Sequence, residues 1–125
     1  MNLSKHSGNL MIGTGIIHNI LGFIMGKDVL ADIIRSGFFN SIDQQKDRNA
    51  IFWFLFVGFL LMILGKFMQD YLNESSKPLP TSLGYYLLTL TIIGCIIMPV
   101  SGIWSMLPQA IIIIAAGQNT STIEA

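Results

Sequence analysis

The sequence predicts an all-α protein, namely an integral membrane bundle of four helices with a short amphipathic helix at the membrane surface between the first two. Three observations predict this fold: charge is scarce, it is confined to short segments, and apolar residues recur at helical spacing. Of the 125 residues, 52% are hydrophobic and 11% are charged. Because soluble domains carry about 25% charged residues, this composition disfavours a soluble enzyme.

Composition also bounds the possible functions. The length allows one domain, which we take to be a single transmembrane domain over residues 1–125. The formal net charge is zero, so no basic surface for nucleic acid is expected. The single cysteine, Cys95, excludes an internal disulfide, and no spacing of methionine, histidine or acidic residues is typical of a metal site. No cofactor is evident.

Three long uncharged stretches predict the membrane spans. They are residues 6–26, 49–65 and 78–123, which is 21, 17 and 46 residues. A span needs about 20 apolar residues, so the first two stretches fit one span each. As a single helix the third would be about 69 Å long, about twice a bilayer core, so it must turn back. Pro99 and Gly102 mark that turn.

We therefore predict four spans, over residues 9–26, 49–69, 82–98 and 103–118. Pro108 interrupts the fourth, so a re-entrant or tilted segment is the alternative there. No small-x-small cleavage site follows the first segment, which we expect to be a span rather than a cleaved signal peptide. Both chain ends should lie on one side of the membrane. Three basic residues lie on the side of the chain ends and four on the side of the first loop, and this difference is too small to predict the orientation.

The loop after the first span carries an amphipathic pattern. Apolar residues at positions 29, 30, 33 and 34 recur at helical spacing, with Asp28 as a candidate N-cap and Gly37 as a helix stop. This pattern predicts a short helix over residues 28–36 that lies at the membrane surface. The helix either docks there or forms a lid over a cavity between the spans.

Small residues predict the inward faces of the spans. Helical projection places the branched and aromatic residues opposite the glycines, as in a helix with one packed face and one lipid face. The candidate packing residues are Gly15, Gly22, Gly26, Gly58, Gly65 and Gly94.

The few polar residues within the spans form the candidate site. A polar side chain in hydrocarbon is costly without a partner, so each should face the bundle and bond either a neighbouring helix or a bound ligand. No catalytic residue is predicted, because no carboxylate and only one histidine lie within the spans. The candidate ligand-binding residues are His18, Thr14, Asn19, Thr91, Ser101, Trp104 and Gln109.

Four motifs are distributed over the chain. They are Gly15-Ile16-Ile17-His18-x-x-x-Gly22, Ala50-Ile51-Phe52-Trp53-Phe54, Pro80-x-x-Leu83-Gly84 and Met98-Pro99-Val100-Ser101-Gly102-Ile103-Trp104-x-x-x-Pro108-Gln109. In these motifs the sequence resembles a family of small, uncharacterised bacterial four-helix membrane proteins. The layout also looks like a looser set of four-helix proteins that includes DoxX-like quinone-linked membrane subunits. The resemblance implies an architecture and a location in the bacterial cytoplasmic membrane, but no activity.

The sequence supports three functional hypotheses. In the first, the bundle encloses a hydrophobic ligand, a lipid or a quinone, oriented by His18 and Gln109. In the second, the protein is a structural subunit that packs against another membrane protein or a second copy through its glycine faces. In the third, it is a redox or isomerase-like enzyme that uses His18, although such chemistry commonly needs two acid–base groups. In all three the lipid bilayer is a partner and nucleic acid is not.

Overall fold

Helices make up most of the described chain. The computed structural model describes residues 2–124, with side chains described for residues 2–119, and these residues contain no strand. A 3₁₀ turn over Leu3–His6 precedes the first α-helix, and another over Gly102–Ser105 precedes the last. The prediction of an all-α protein is confirmed. The α-helices are α1 (Ser7–Met25), α2 (Lys27–Arg35), α3 (Lys46–Glu74), α4 (Thr81–Ile97) and α5 (Met106–Glu124).

The helix count differs from the four named in the prediction. The described residues form five α-helices, because the short amphipathic segment is a regular helix of its own. The four long helices follow the order of the four predicted spans, and α2 occupies the predicted position between the first two.

The second long helix, α3, exceeds its predicted bounds of 49–69. It begins at Lys46 and ends at Glu74, so it includes charged residues on both sides of the uncharged stretch. Lysine, arginine and glutamate have high helix propensity, and Lys66 forms an i,i+4 ion pair with Asp70 on the helix surface. The length of the uncharged stretch therefore underestimates the length of this helix.

The last helix begins later than predicted, and Pro108 does not interrupt it. Residues 102–105 form the 3₁₀ turn, and α5 starts at Met106. Pro108 is therefore the third residue of α5, where backbone N–H groups have no partner within the helix. The prediction that Pro108 interrupts the last helix is wrong, because the proline lies in the first turn of α5.

An antiparallel pair is formed by α1 and α3, whose backbones approach closely at glycines. A Cβ atom built on Gly15 would lie 2.7 Å from the Gly58 carbonyl oxygen, and one on Gly65 would lie 2.7 Å from the Gly8 carbonyl oxygen. Gly22, seven residues after Gly15, contacts Leu55 of the same helix. Contacts at seven-residue intervals are typical of a shallow left-handed crossing.

A second antiparallel pair consists of α4 and α5. A Cβ atom on Gly84 would lie 2.6 Å from Cγ1 of Ile114, so this glycine is also a point of close approach. Near the other end of α4, Gly94 contacts Ile103 in the 3₁₀ turn that leads into α5. Both ends of this pair are thus held by small residues.

Apolar side chains fill the junction of α1 with α5, which we call the seam. Across the seam, α1 contacts α5 less extensively than it contacts α3. The main core therefore lies between the two helix pairs and leaves their outer faces exposed. Its buried residues are Met11, Met68, Leu79, Leu87, Ala110 and Ile113.

The amphipathic helix α2 packs one face against its neighbours α1 and α3. Ile33 is 7% exposed, whereas the next residue, Ile34, is 69% exposed. The chain turns away at Gly37, whose φ of +95° suits glycine, and this position is the predicted stop. The N-cap is Gly26 rather than Asp28, because α2 begins at residue 27.

Two helical segments of the described chain are long and apolar enough to cross a membrane. They are Leu3–Met25 and Lys46–Glu74. The shorter α4 is apolar over Thr81–Ile97. Length and hydropathy alone do not separate a span from the core helix of a soluble protein.

Candidate functional site

His18 bonds the neighbouring helix. Its Nε2 lies 2.9 Å from the Phe54 carbonyl oxygen, and its ring stacks on the Phe54 ring with centroids 3.9 Å apart and planes 12° from parallel. Because a carbonyl oxygen only accepts, Nε2 carries the proton of this bond. In the neutral ring Nδ1 is then an acceptor. The half-buried imidazole therefore joins α1 to α3 by a bond and a stacked pair.

Asn19 is buried without a hydrogen-bond partner. Its side chain is 6% exposed, and neither Oδ1 nor Nδ2 is bonded within the described residues. The amide packs directly against Gly58, where a Cβ atom would lie 2.5 Å from the Asn19 Cγ. A buried unpaired amide costs about 1–3 kcal/mol. The close fit leaves no space for a bound molecule between this amide and α3.

Thr14 and Gln109 meet across the seam. Nε2 of Gln109 donates to Thr14 Oγ1 at 2.6 Å and to the Ser105 carbonyl at 3.1 Å. The threonine hydroxyl in turn donates to the Leu10 carbonyl at 3.0 Å. Gln109 is 7% exposed, and its Oε1 has no partner among the described residues. This oxygen is a free acceptor at the junction of the two helix pairs.

The other three candidates bond their own segments. Thr91 is 1% exposed and donates to the Leu87 carbonyl one turn earlier in α4. Ser101 donates to the Met98 carbonyl, and Trp104 Nε1 donates to the Pro99 carbonyl. The seven predicted residues thus do not form one site. The structure brings together Thr14 and Gln109 at the seam, and places His18 and Asn19 against α3.

Gln69 is a structural residue that the sequence analysis missed. It is 9% exposed, and its Oε1 accepts from the backbone N–H of Asn9 at 3.1 Å. Its Nε2 donates to the Lys5 carbonyl at 3.1 Å and to Asn73 Oδ1 at 3.0 Å. One side chain therefore satisfies backbone groups at the start of α1. Its position four residues after Gly65, on the face already identified by glycines, is the signal that could have found it.

The described residues contain no group of three or more His, Cys, Asp or Glu side chains that could hold a metal ion. They define an all-α protein built of two glycine-packed helix pairs with a surface helix.

The chain belongs to a family of unknown function, DUF6463, which matches residues 2–120. No curated protein and no solved structure matches the chain. The expected membership of an uncharacterised family agrees with this match. The similarity to DoxX-like subunits stays a prediction.

Proposed function

We propose that this protein is an integral membrane protein of the bacterial cytoplasmic membrane that binds a hydrophobic ligand at the seam. In this proposal α1, α3, α4 and α5 are the four spans and α2 lies at the membrane surface. The ligand is a lipid or a quinol that carries a hydrogen-bond donor. The membrane placement and the ligand rest on different observations.

Exposure of apolar side chains supports the membrane placement. In the two segments that qualify as spans, only 28% and 22% of the most apolar window is buried. A core helix of a soluble protein would be mostly buried. The exposed side chains are large: Ile24 is 64% exposed and Phe67 71%, and Leu90 in α4 is 62% exposed. Soluble monomers rarely expose contiguous apolar surface of this extent, whereas lipid covers it without cost.

The register of α1 against α3 supports the same placement. Gly8 lies beside Gly65 at one end of the pair, and Gly26 lies beside Ile51 at the other. The 18-residue rise from position 8 to position 26 is about 27 Å, close to a hydrocarbon core of about 30 Å. Charged residues flank this layer outside both ends, at Lys5 and Lys66 on one side and at Lys27 and Arg48 on the other.

The helix α4 matches the same thickness. Its 17 residues rise about 25 Å, which crosses the core when the helix is nearly upright. Tyr85 and Tyr86 near its start are both exposed, as is typical of aromatic residues at a membrane–water boundary. The lengths of α1, α3 and α4 and the positions of the flanking charges therefore support three of the four proposed spans.

The ligand proposal rests on the free acceptor of Gln109. A ligand hydroxyl or N–H that bonded Oε1 would remove the cost of a buried unpaired group, about 1–3 kcal/mol. Quinols and hydroxyl-bearing lipids present such donors on apolar bodies. Met11 and Met106 pack at this core, and the flexible methionine side chain adapts to a guest. Asn19 is the poorer candidate, because Gly58 fills the space in front of its amide.

The alternative hypotheses receive less support. The glycines proposed to contact a partner protein already contact other residues of this chain, where α1 packs against α3 and α4 packs against α5. A protein partner would have to use the outer aromatic faces instead. Redox or isomerase chemistry at His18 is not favoured, because its ring is bonded and stacked on Phe54.

The substitution Gln109→Leu tests the ligand proposal. The protein is extracted in a mild detergent, and native mass spectrometry measures any small molecule that it retains. We expect the parent to retain a lipid or quinol and to gain thermal stability with an added short-chain benzoquinol. Because the substitution removes one hydrogen bond of about 1–1.5 kcal/mol, we expect roughly tenfold weaker binding.

The matched control is Gln44→Leu, the same chemical change in an exposed loop, which should bind like the parent. A parent that retains no ligand and does not respond to the quinol would contradict the proposal, as would equal binding by Gln109→Leu. A protein that co-purifies in fixed ratio would instead support the interaction hypothesis.

A further inference from the structure

A cavity of about 550 Å³ opens at the end of the molecule where the described chain begins. We call it the terminal cavity. It lies between the first 3₁₀ turn, the end of α3, the connector to α4 and the last described turns of α5. Its volume falls in the range of about 300–1,000 Å³ that ligand sites occupy. It is separate from the seam residue Gln109, which does not line it.

The polar part of the lining is basic. Lys5 and Lys77 both line the cavity, and among the described residues neither forms an ion pair. By contrast, Lys66 of α3, which does not line the cavity, is paired with Asp70. Among the described residues, no carboxylate lines the terminal cavity. Glu74 directly precedes the lining residue Ser75 in the sequence, but it is not part of the lining. Two lysines therefore line one concave surface that has no counter-charge among its described residues.

Neutral donors surround the two lysines. The hydroxyl-bearing residues Ser4, Ser75 and Ser76 line the cavity with Asn2. Ser75 Oγ already donates to the Tyr71 carbonyl at 2.7 Å. Ser4 donates to Asn2 Oδ1, which leaves the amide N–H₂ of that asparagine as a donor. Because the Ser4 and Ser75 hydroxyl protons are already used, the donors that remain for the oxygens of a phosphate group are the two ammonium groups, the Ser76 hydroxyl and the Asn2 amide.

One wall of the cavity is apolar and continues into the protein. Leu72, Pro78 and Ala116 form this wall, and Leu72 also packs against the buried core. The cavity lies beyond the Gly8–Gly65 contact, which is the edge of the proposed hydrocarbon layer. A ligand with a phosphate group on an apolar body would match both parts of the lining.

We propose that the terminal cavity binds a phosphate group, carried by an anionic phospholipid or by a soluble phosphoester. The basic lining and the donors carry this proposal in both cases. Only the phospholipid case rests on the membrane placement proposed above. Neither case involves the acceptor at Gln109, so the two sites can fail separately.

The double variant Lys5→Gln/Lys77→Gln tests the site in the full chain. Purified protein in detergent micelles is titrated with dioleoylphosphatidylglycerol, with dioleoylphosphatidylcholine and with glycerol phosphate. Thermal stability and native mass spectrometry report binding. We expect the parent to bind phosphatidylglycerol at least about tenfold more tightly than the double variant, because each lysine near an anionic group contributes appreciably to affinity. Lys5→Arg/Lys77→Arg keeps both charges and should retain binding.

The matched control is Lys27→Gln/Lys46→Gln, which removes two exposed lysines at the opposite end. It should bind phosphatidylglycerol like the parent. Binding of phosphatidylglycerol without glycerol phosphate assigns the site to a lipid, and binding of both assigns it to a phosphoester in general. The proposal is overturned if the parent binds no probe, or if the two Gln double variants lose binding equally.

Discussion

Polar side chains inside the bundle differ in how their hydrogen bonds are satisfied. His18 and Thr91 bond backbone carbonyls, whereas Asn19 and Gln109 are buried with unpartnered atoms. A buried orphan atom lowers stability unless a ligand or water completes its bonding. His18 is therefore the residue at which helix packing can be measured, and Gln109 is the residue at which ligand binding can be measured.

Replacing His18 separates packing from ligand binding. His18→Leu removes the bond to the Phe54 carbonyl, and interhelical bonds of this kind contribute about 1 kcal/mol. We expect a loss of that size in the free energy of unfolding in detergent, and a smaller loss for His18→Gln, which can still donate. The amount of any co-purified ligand should be unchanged in both variants.

His6→Leu is the control, because His6 is exposed in the first 3₁₀ turn. A His18→Leu variant as stable as this control would mean that the interhelical bond contributes nothing. Loss of a ligand from His18→Gln would place the ligand at His18 rather than at Gln109.

The partners of the polar residues could not be predicted from the sequence. The cost of an unpartnered polar group in hydrocarbon predicted that Asn19 and Gln109 face the bundle, and both are buried. The partner depends on the register of two helices, which the pattern within one helix does not contain. Trp104 shows the same limit, because its indole bonds the nearby Pro99 carbonyl instead of joining the other candidates.

At the scale of the helices, the glycine contacts determine how α1 meets α3. The inward face of α1 was predicted from Gly15, Gly22 and Gly26, but the repeat at Gly8 was not used. With Gly8 included, glycines recur every seven residues along α1, and Gly58 and Gly65 show the same interval in α3. That repeat predicts a shallow left-handed crossing of the two helices from the sequence alone.

Gly58→Ala tests the α1–α3 contact. The added Cβ would lie 2.5 Å from Asn19 Cγ and 3.0 Å from His18 Cδ2, so these side chains must move or the helices must separate. Overpacking of this kind costs about 1–3 kcal/mol, which we expect as a loss in the free energy of unfolding. Because the close neighbour is a side chain, adding Asn19→Ala should restore part of the loss.

Gly13→Ala is the matched control on α1. No described atom lies within 4 Å of a Cβ at this position. Alanine in a helix is favoured over glycine by about 0.5–1 kcal/mol, so this variant should be as stable as the parent or slightly more so. Equal destabilisation by Gly13→Ala and Gly58→Ala would contradict a specific glycine contact.

At the scale of the whole molecule, the order of the helices was the most predictable property. Charge-free stretches, together with the break near Pro99, predicted four long helices, and amphipathic spacing predicted the short one between the first two. Their ends were less predictable, because charged residues extend α3 and a 3₁₀ turn delays α5. The grouping into two pairs depends on contacts between distant residues, which periodicity within a helix does not predict.

The central claim is that four helices cross a membrane, and cysteine labelling in sealed vesicles tests it most directly. Cys95→Ser provides the background, and a membrane-impermeant maleimide reports which side each new cysteine faces. We expect two sites to be labelled from one side and two from the other. The claim would be contradicted if all four sites were labelled from the same side. It would also be contradicted if intact vesicles protected none of the four sites from the maleimide. The first pair is Ser4→Cys and Ser76→Cys, and the second is Gln44→Cys and Ser101→Cys.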